Sequence, residues 1–181
     1  MAQVNYFNIA DYPIQIVFEE SPYNDMRLLP SFEPFRTAAP GEGSDTRAGH
    51  DGTGQPLFRL VVDDTLRPIA KERRKRIRTF DTGNGDTIVD KVDDGGYQYI
   101  INNALMLIFA FASSLHHTLL IHASLVRQNG RGYAFIAKSG TGKSTQVSLW
   151  LRYLPGCDLM NDDNPVVRVV DGLPYIYGSP W

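Results

Sequence analysis

The sequence predicts an α/β protein of α+β-like character, with a β-rich N-terminal region followed by a core where strands and helices alternate. Three observations predict it. Short runs of branched and aromatic residues, divided by Gly, Pro, Asn and Asp, fill the first hundred positions. A charge-free stretch from Gln98 to Val126 is long enough for a helix and then a strand. Finally, the apolar run "YAFIA" enters a Gly-rich loop, and "KSTQVSLWLRYL" leaves it with Val147, Leu151 and Leu154 at helical spacing.

In chain order, "IQIVFEE" reads as a strand between the breaks at Pro13 and Pro22. Residues 37 to 56, "TAAPGEGSDTRAGHDGTGQP", are too poor in apolar side chains to order themselves and should form a flexible loop. "LFRLVVDD" and "DTIVDKVDDGGYQYII", with the turn signals "TGNGD" and "DDGG", suggest a β-meander. The basic run Lys71 to Arg78 lies between acidic segments and reads as a solvated face.

"ALMLIFAFASSL" is the most apolar segment. A spanning helix needs about 20 predominantly apolar residues. Here Asn102, Asn103, Ser113, Ser114, His116 and His117 interrupt the run, so a buried helix is expected. "TLLIHASLV" follows as one buried strand, and "RQNGRG" as a hairpin loop. Pro155 and Gly156 stop the next helix. "CDLMNDD" is a short strand ending in two carboxylates, and "PVVRVVDGLPYIYG" a hairpin about an Asp-Gly turn. The expected domains are residues 1–100 and 101–181.

Composition bounds the function. The chain has 181 residues, 43% hydrophobic and 21% charged, an ordinary globular balance. Net charge is -2, which argues against nucleic-acid or anionic-membrane partners. The one cysteine, Cys157, excludes an intramolecular disulfide and suits a reducing, cytoplasmic location. No basic-then-apolar leader opens the chain, so no signal peptide is expected.

The chemistry is concentrated in "AKSGTGKST". A phosphate-binding loop needs backbone N–H groups turned to one point, glycines that allow the turn, and a helix N-terminus behind it. Gly140 and Gly142 supply the turn, within a cradle running from Ser139 through Thr141 to Thr145. Lys143 can reach β/γ-phosphates, and the Ser144 hydroxyl can ligate Mg²⁺. Ala137 stands at the first glycine position, at a strand end where a methyl is tolerable. Asp162 and Asp163 close the next strand. There one carboxylate can hold Mg²⁺ and the other can take a proton from an attacking hydroxyl. His122 stands one strand before the loop.

The order His122-Ala123, hairpin, "SGTGKS", helix, Asp162-Asp163 resembles HPr kinase/phosphorylase and, more distantly, ATP-dependent phosphoenolpyruvate carboxykinase. It also resembles uncharacterised bacterial proteins with "HAS", "SGTGKST", "NDD" and a late "YG-x-PW", here Tyr177 to Trp181. The resemblance covers roughly residues 115 to 181. Thr145 departs from it, standing where HPr kinase usually has Glu. The resemblance implies a P-loop core that binds ATP or another nucleotide with Mg²⁺ on Ser144 and Asp162. It implies Asp163 as base and His122 as a supporting polar residue. The acceptor would be a hydroxyl on a protein or small molecule. The further strands of the family do not follow Trp181, so a truncated core that self-associates is the expectation. A non-catalytic nucleotide-binding module, or an inactive fragment, is the alternative.

Overall fold

The computed structural model describes residues 1–21, 24–39, 55–63, 79–81, 86–90 and 97–181. Most of the loop expected at 37–56, the basic run 71–78 and the "DDGG" turn lie outside the described residues. The described residues form a mixed α/β structure with three sheets. By contacts the chain divides into Met1–Ala112 and Ser113–Trp181. The long apolar helix, which the sequence grouped with the second region, thus goes mostly with the first.

The N-terminal unit is built on a sheet of strands β1 (Gln3–Ile9), β2 (Tyr12–Phe18), β3 (Arg36–Thr37), β4 (Arg59–Asp63), β5 (Thr79–Asp81) and β6 (Asp86–Asp90). The spatial order is β3-β1-β2-β4-β6-β5. β1 and β2 form a hairpin paired from Gln3↔Phe18 to Ile9↔Tyr12. Its two turn residues, Ala10 and Asp11, both have positive φ, at 53° and 63°. That geometry matches strand twist, but Ala-Asp lacks the usual glycine signal, so β1 is hard to see in sequence. The expected meander is corrected: β4 runs parallel to β2, and β6 parallel to β4, while β5 pairs antiparallel with β6. Turn residues mark where a strand stops, not which neighbour it joins.

Alternation places Asn5, Phe7 and Ile9 of β1 on a buried face. Asn5 is accommodated there because its Oδ1 accepts a hydrogen bond from Arg36 Nη2 at 3.0 Å. Phe32, on the 3₁₀ turn Pro30–Phe35, meets Phe7 edge to face at 5.6 Å. Helix α1 (Tyr97–Ser114) buries Ile101, Ala104, Leu105 and Phe109, and Phe109 packs edge to face on Tyr12 at 6.0 Å. Tyr99 and Phe111 are exposed, so the helix expected to be buried is buried on one side only. No described helix is long and apolar enough to cross a membrane.

The C-terminal unit holds strands β7 (Thr118–Leu120), β8 (Ser124–Gln128), β9 (Arg131–Phe135), β10 (Asp158–Asn161), β11 (Val166–Val170) and β12 (Leu173–Tyr177), with helix α2 (Lys143–Tyr153). They make two three-stranded sheets, β10-β8-β9 and β12-β11-β7. Both expected hairpins are present. Asn129-Gly130 and Asp171-Gly172 take positive φ at both turn positions. Gly132 lacks a Cβ where Ile176 of the other sheet comes close, so a side chain there would separate them. Trp150 of α2 packs on Tyr133 and Phe135 of β9, with centroids 5.0 and 5.4 Å away.

"TLLIHASLV" is not one strand. β7 belongs to one sheet and β8 to the other, and residues 121–123 pass between them. Those residues instead bond to the carboxylate loop: Ile121 N–H to Pro165 O at 3.1 Å and Ala123 N–H to Asp163 O at 2.9 Å. Branched residues fit an extended backbone whether or not a ladder continues beside it. The expected apolar strand "YAFIA" also shifts: β9 ends at Phe135, and Ile136 is exposed.

Candidate functional site

The Gly-rich segment follows β9 and opens α2. Thr141 closes a turn on Lys138, its N–H reaching Lys138 O at 3.3 Å and its hydroxyl the same oxygen at 2.7 Å. Gly140 and Gly142 take φ of 79° and 95°, which side chains rarely adopt. Gly142 is the helix N-cap, and its carbonyl accepts the first helical bond, from Gln146 N–H, at 2.9 Å. No side chain caps this end. The first amides of α2 are therefore left without a side-chain cap, and the helix dipole would favour an anion there.

Across from this loop stand the residues between the two sheets. A cavity of 370 Å³ is lined by His122, Ser124, Ser139, Gly140, Gly142, Lys143, Ser144, Thr145 and Asp162. It brings together residues of the expected phosphate cradle, both expected Mg²⁺ ligands and His122. Thr141 and Asp163 are not among its lining residues.

Asp163 joins the site through a relay. Its Oδ1 lies 2.9 Å from His122 Nδ1, and His122 Nε2 lies 3.2 Å from Lys143 Nζ. An ionised carboxylate can only accept and an ammonium can only donate. The consistent assignment is a neutral imidazole with its proton on Nδ1, donating to Asp163 and accepting from Lys143. Lys143 also donates to Ala137 O at 3.0 Å. Asp163 thus orients His122, and His122 holds the lysine. All three side chains remain accessible enough to exchange partners.

Sequence reasoning overlooked three residues. Asn161 is buried, and its Nδ2 lies 3.0 Å from Ser179 O, 3.1 Å from Ser179 Oγ and 3.0 Å from Trp181 O. Two amide hydrogens are shared among these acceptors. Its Oδ1 accepts from Asp163 N–H at 2.9 Å, and Ser179 Oγ donates to Asn164 O at 2.6 Å. "NDDN" and "GSPW" are two halves of one clip that shapes the carboxylate loop. Gly178 permits it, since a Cβ there would lie 2.7 Å from Met160 O. The available signal was the glycine beside Ser179-Pro180 and the Asn directly before the two carboxylates. The third residue is Ser124, two positions beyond His122 in an extended segment and so on the same side.

Oxygen ligands from Ser144 and Asp162 suit a hard cation. Among the described residues no group of three or more His, Cys, Asp or Glu is placed to hold a metal. Mg²⁺ at this position would complete its shell with phosphate and water, as it commonly does. The sequence matches no protein-family model and no curated protein.

Proposed function

We propose that this chain is a nucleotide-binding protein of the HPr kinase/carboxykinase P-loop type. It binds ATP or ADP by the phosphates, with Mg²⁺ on Ser144 and Asp162. The observation that carries the reading is convergence: the glycine turn, the α2 N-terminus, Lys143 and Asp162 all line one 370 Å³ cavity. Mg²⁺ would supply charge neutralisation on the phosphate oxygens. Lys143 leaves His122 for the phosphates when they bind. His122, which lines the cavity and is oriented by Asp163, then takes the base role expected of Asp163 and accepts the proton of a hydroxyl acceptor on a protein or small molecule. The single cysteine goes with a reducing, cytoplasmic setting.

A non-catalytic binder is the second reading, favoured by one observation. Lys143 is the one Lys or Arg among the described residues that line the cavity. Phosphoryl transfer draws on more positive charge than one lysine and one metal ion supply. A second copy of the chain, contributing a cation, would reconcile transfer with this cavity.

Calorimetry with ADP and ATP tests the proposal. Lys143→Ala removes a charge-assisted contact and should weaken binding about ten- to a hundredfold. Asp162→Asn should weaken binding with Mg²⁺ and leave binding in EDTA near wild type. Equal affinities for Lys143→Ala and wild type would sink the phosphate-loop reading.

A further inference from the structure

Ser124 opens β8, pairs in backbone register with Phe135, and is 1% exposed. Its hydroxyl is buried and meets no hydrogen-bond partner among the described residues. Buried hydroxyls nearly always find a partner, because burial removes the water that would otherwise serve. Other side-chain atoms in this condition, Ser113 Oγ, Asn102 Oδ1 and Gln128 Oε1, belong to residues away from the cavity. Ser124 lines it, beside His122, Lys143, Ser144 and Asp162.

Ala123, between His122 and Ser124, is buried and gives its N–H to Asp163 O. Alternation puts its neighbours His122 and Ser124 on the other side of the extended chain, and both line the cavity. Lys143 does not reach the serine: its ammonium bonds His122 and Ala137 O, and Ser124 Oγ has no partner among the described residues. A group that fits an orphaned hydroxyl within this donor-rich wall is an anion with oxygens to spare.

We propose that Ser124 is a further ligand-binding residue of this cavity, its hydroxyl donating a hydrogen bond to a phosphate group held by the Gly140–Thr145 turn. The assignment rests on the phosphate-binding reading and adds a contact from the strand side of the cavity. It makes β8, and not only the loop, part of the ligand's recognition.

The test compares wild type, Ser124→Ala, Ser124→Cys and Lys143→Ala. Inorganic pyrophosphate and ADP are titrated by calorimetry, with Mg²⁺ and with EDTA, and each unliganded protein is melted. Ser124→Ala removes an unpaired buried hydroxyl, so its melting temperature should equal or exceed wild type. Its affinity for both probes should fall about three- to tenfold, with or without Mg²⁺. Ser124→Cys, of similar size and a weaker donor, should fall in between. Unchanged affinity in Ser124→Ala beside a weakened Lys143→Ala overturns the serine's role and leaves the phosphate site standing. Loss confined to Mg²⁺ overturns it in favour of a contact to metal-bound water. A lowered melting temperature makes the hydroxyl structural. Absence of binding by wild type overturns this assignment and the nucleotide reading together.

Discussion

The two units bury different things. The largest fully buried side chains, Tyr12, Phe7, Phe18, Phe32 and Phe109 among them, all belong to Met1–Ala112. In Ser113–Trp181 the fully buried apolar residues are aliphatic, Ala123, Leu125, Val126 and Val166, and Leu159, Leu173 and Tyr175 stay exposed. The second unit instead fixes its shape with two tight Asx-Gly turns, the Asn161–Ser179 clip and the Asp163–His122–Lys143 relay. One unit is held by area removed from water, the other by directional contacts that also shape a polar cavity. Stability and ligand binding should therefore separate on mutation.

The largest effect belongs to the first unit. Phe32 is fully buried against Phe7. Phe32→Ala removes apolar burial and leaves a cavity, costing about 3–5 kcal/mol. Urea unfolding reads it as a lower midpoint at unchanged slope. Under conditions where the variant is folded, ADP affinity should match wild type. A proportionate loss of ADP affinity would break the separation.

The same contrast explains what was legible in sequence. Local signals were legible in part: Asn129-Gly130 and Asp171-Gly172 dictate their turns, and of the three apolar residues at helical spacing Val147 is buried, while Leu151 and Leu154 are exposed and Trp150 packs on β9 instead. Pairing was not, because it depends on residues far apart in the chain. The parallel β2–β4–β6 arrangement and the division of "TLLIHASLV" between two sheets both came from distant partners. The site follows this rule. Its glycines and Lys143 announced themselves by spacing. Ser124 and Asn161 did not, since a buried hydroxyl or amide shows its role only once the surrounding atoms are placed.

A middle-sized effect tests the clip. Asn161→Ala strips a donor from the buried backbone oxygens of Ser179 and Trp181 and the acceptor from Asp163 N–H. Leaving buried polar groups unpaired should cost about 1–3 kcal/mol. Because the clip also shapes the Asp162-Asp163 loop, Mg²⁺-dependent ADP binding should weaken more than binding in EDTA. Thermal melting and calorimetry together check this. An unchanged melting temperature would mean that the clip is incidental, and the second unit would lose one of the contacts credited with holding it.

The smallest effect sharpens the comparison by showing which directional contacts matter. Arg127 and Asp158 face each other across β8 and β10, with Nε to Oδ1 at 3.1 Å and Nη2 to Oδ2 at 2.6 Å. The pair thus ties the strand of Ser124 to the strand of Asn161. Hydrogen bonding from Arg127 holds the Asp158 carboxyl below its ordinary value, and the guanidinium charge adds to this. Both groups are about half exposed, so water and salt screen most of the attraction. A carboxyl lowered on folding contributes stability above the unfolded value, about 3.9 for Asp. That contribution fades as pH falls through the lower folded value. Asp158→Asn should therefore lower the melting temperature slightly at pH 7, less at high salt, with the difference from wild type closing as pH falls below about 4. Melts across pH at two ionic strengths measure it. A large, salt-insensitive difference at pH 7 would place this pair with the buried clip, as a contact the second unit cannot lose without disturbing the cavity between its strands.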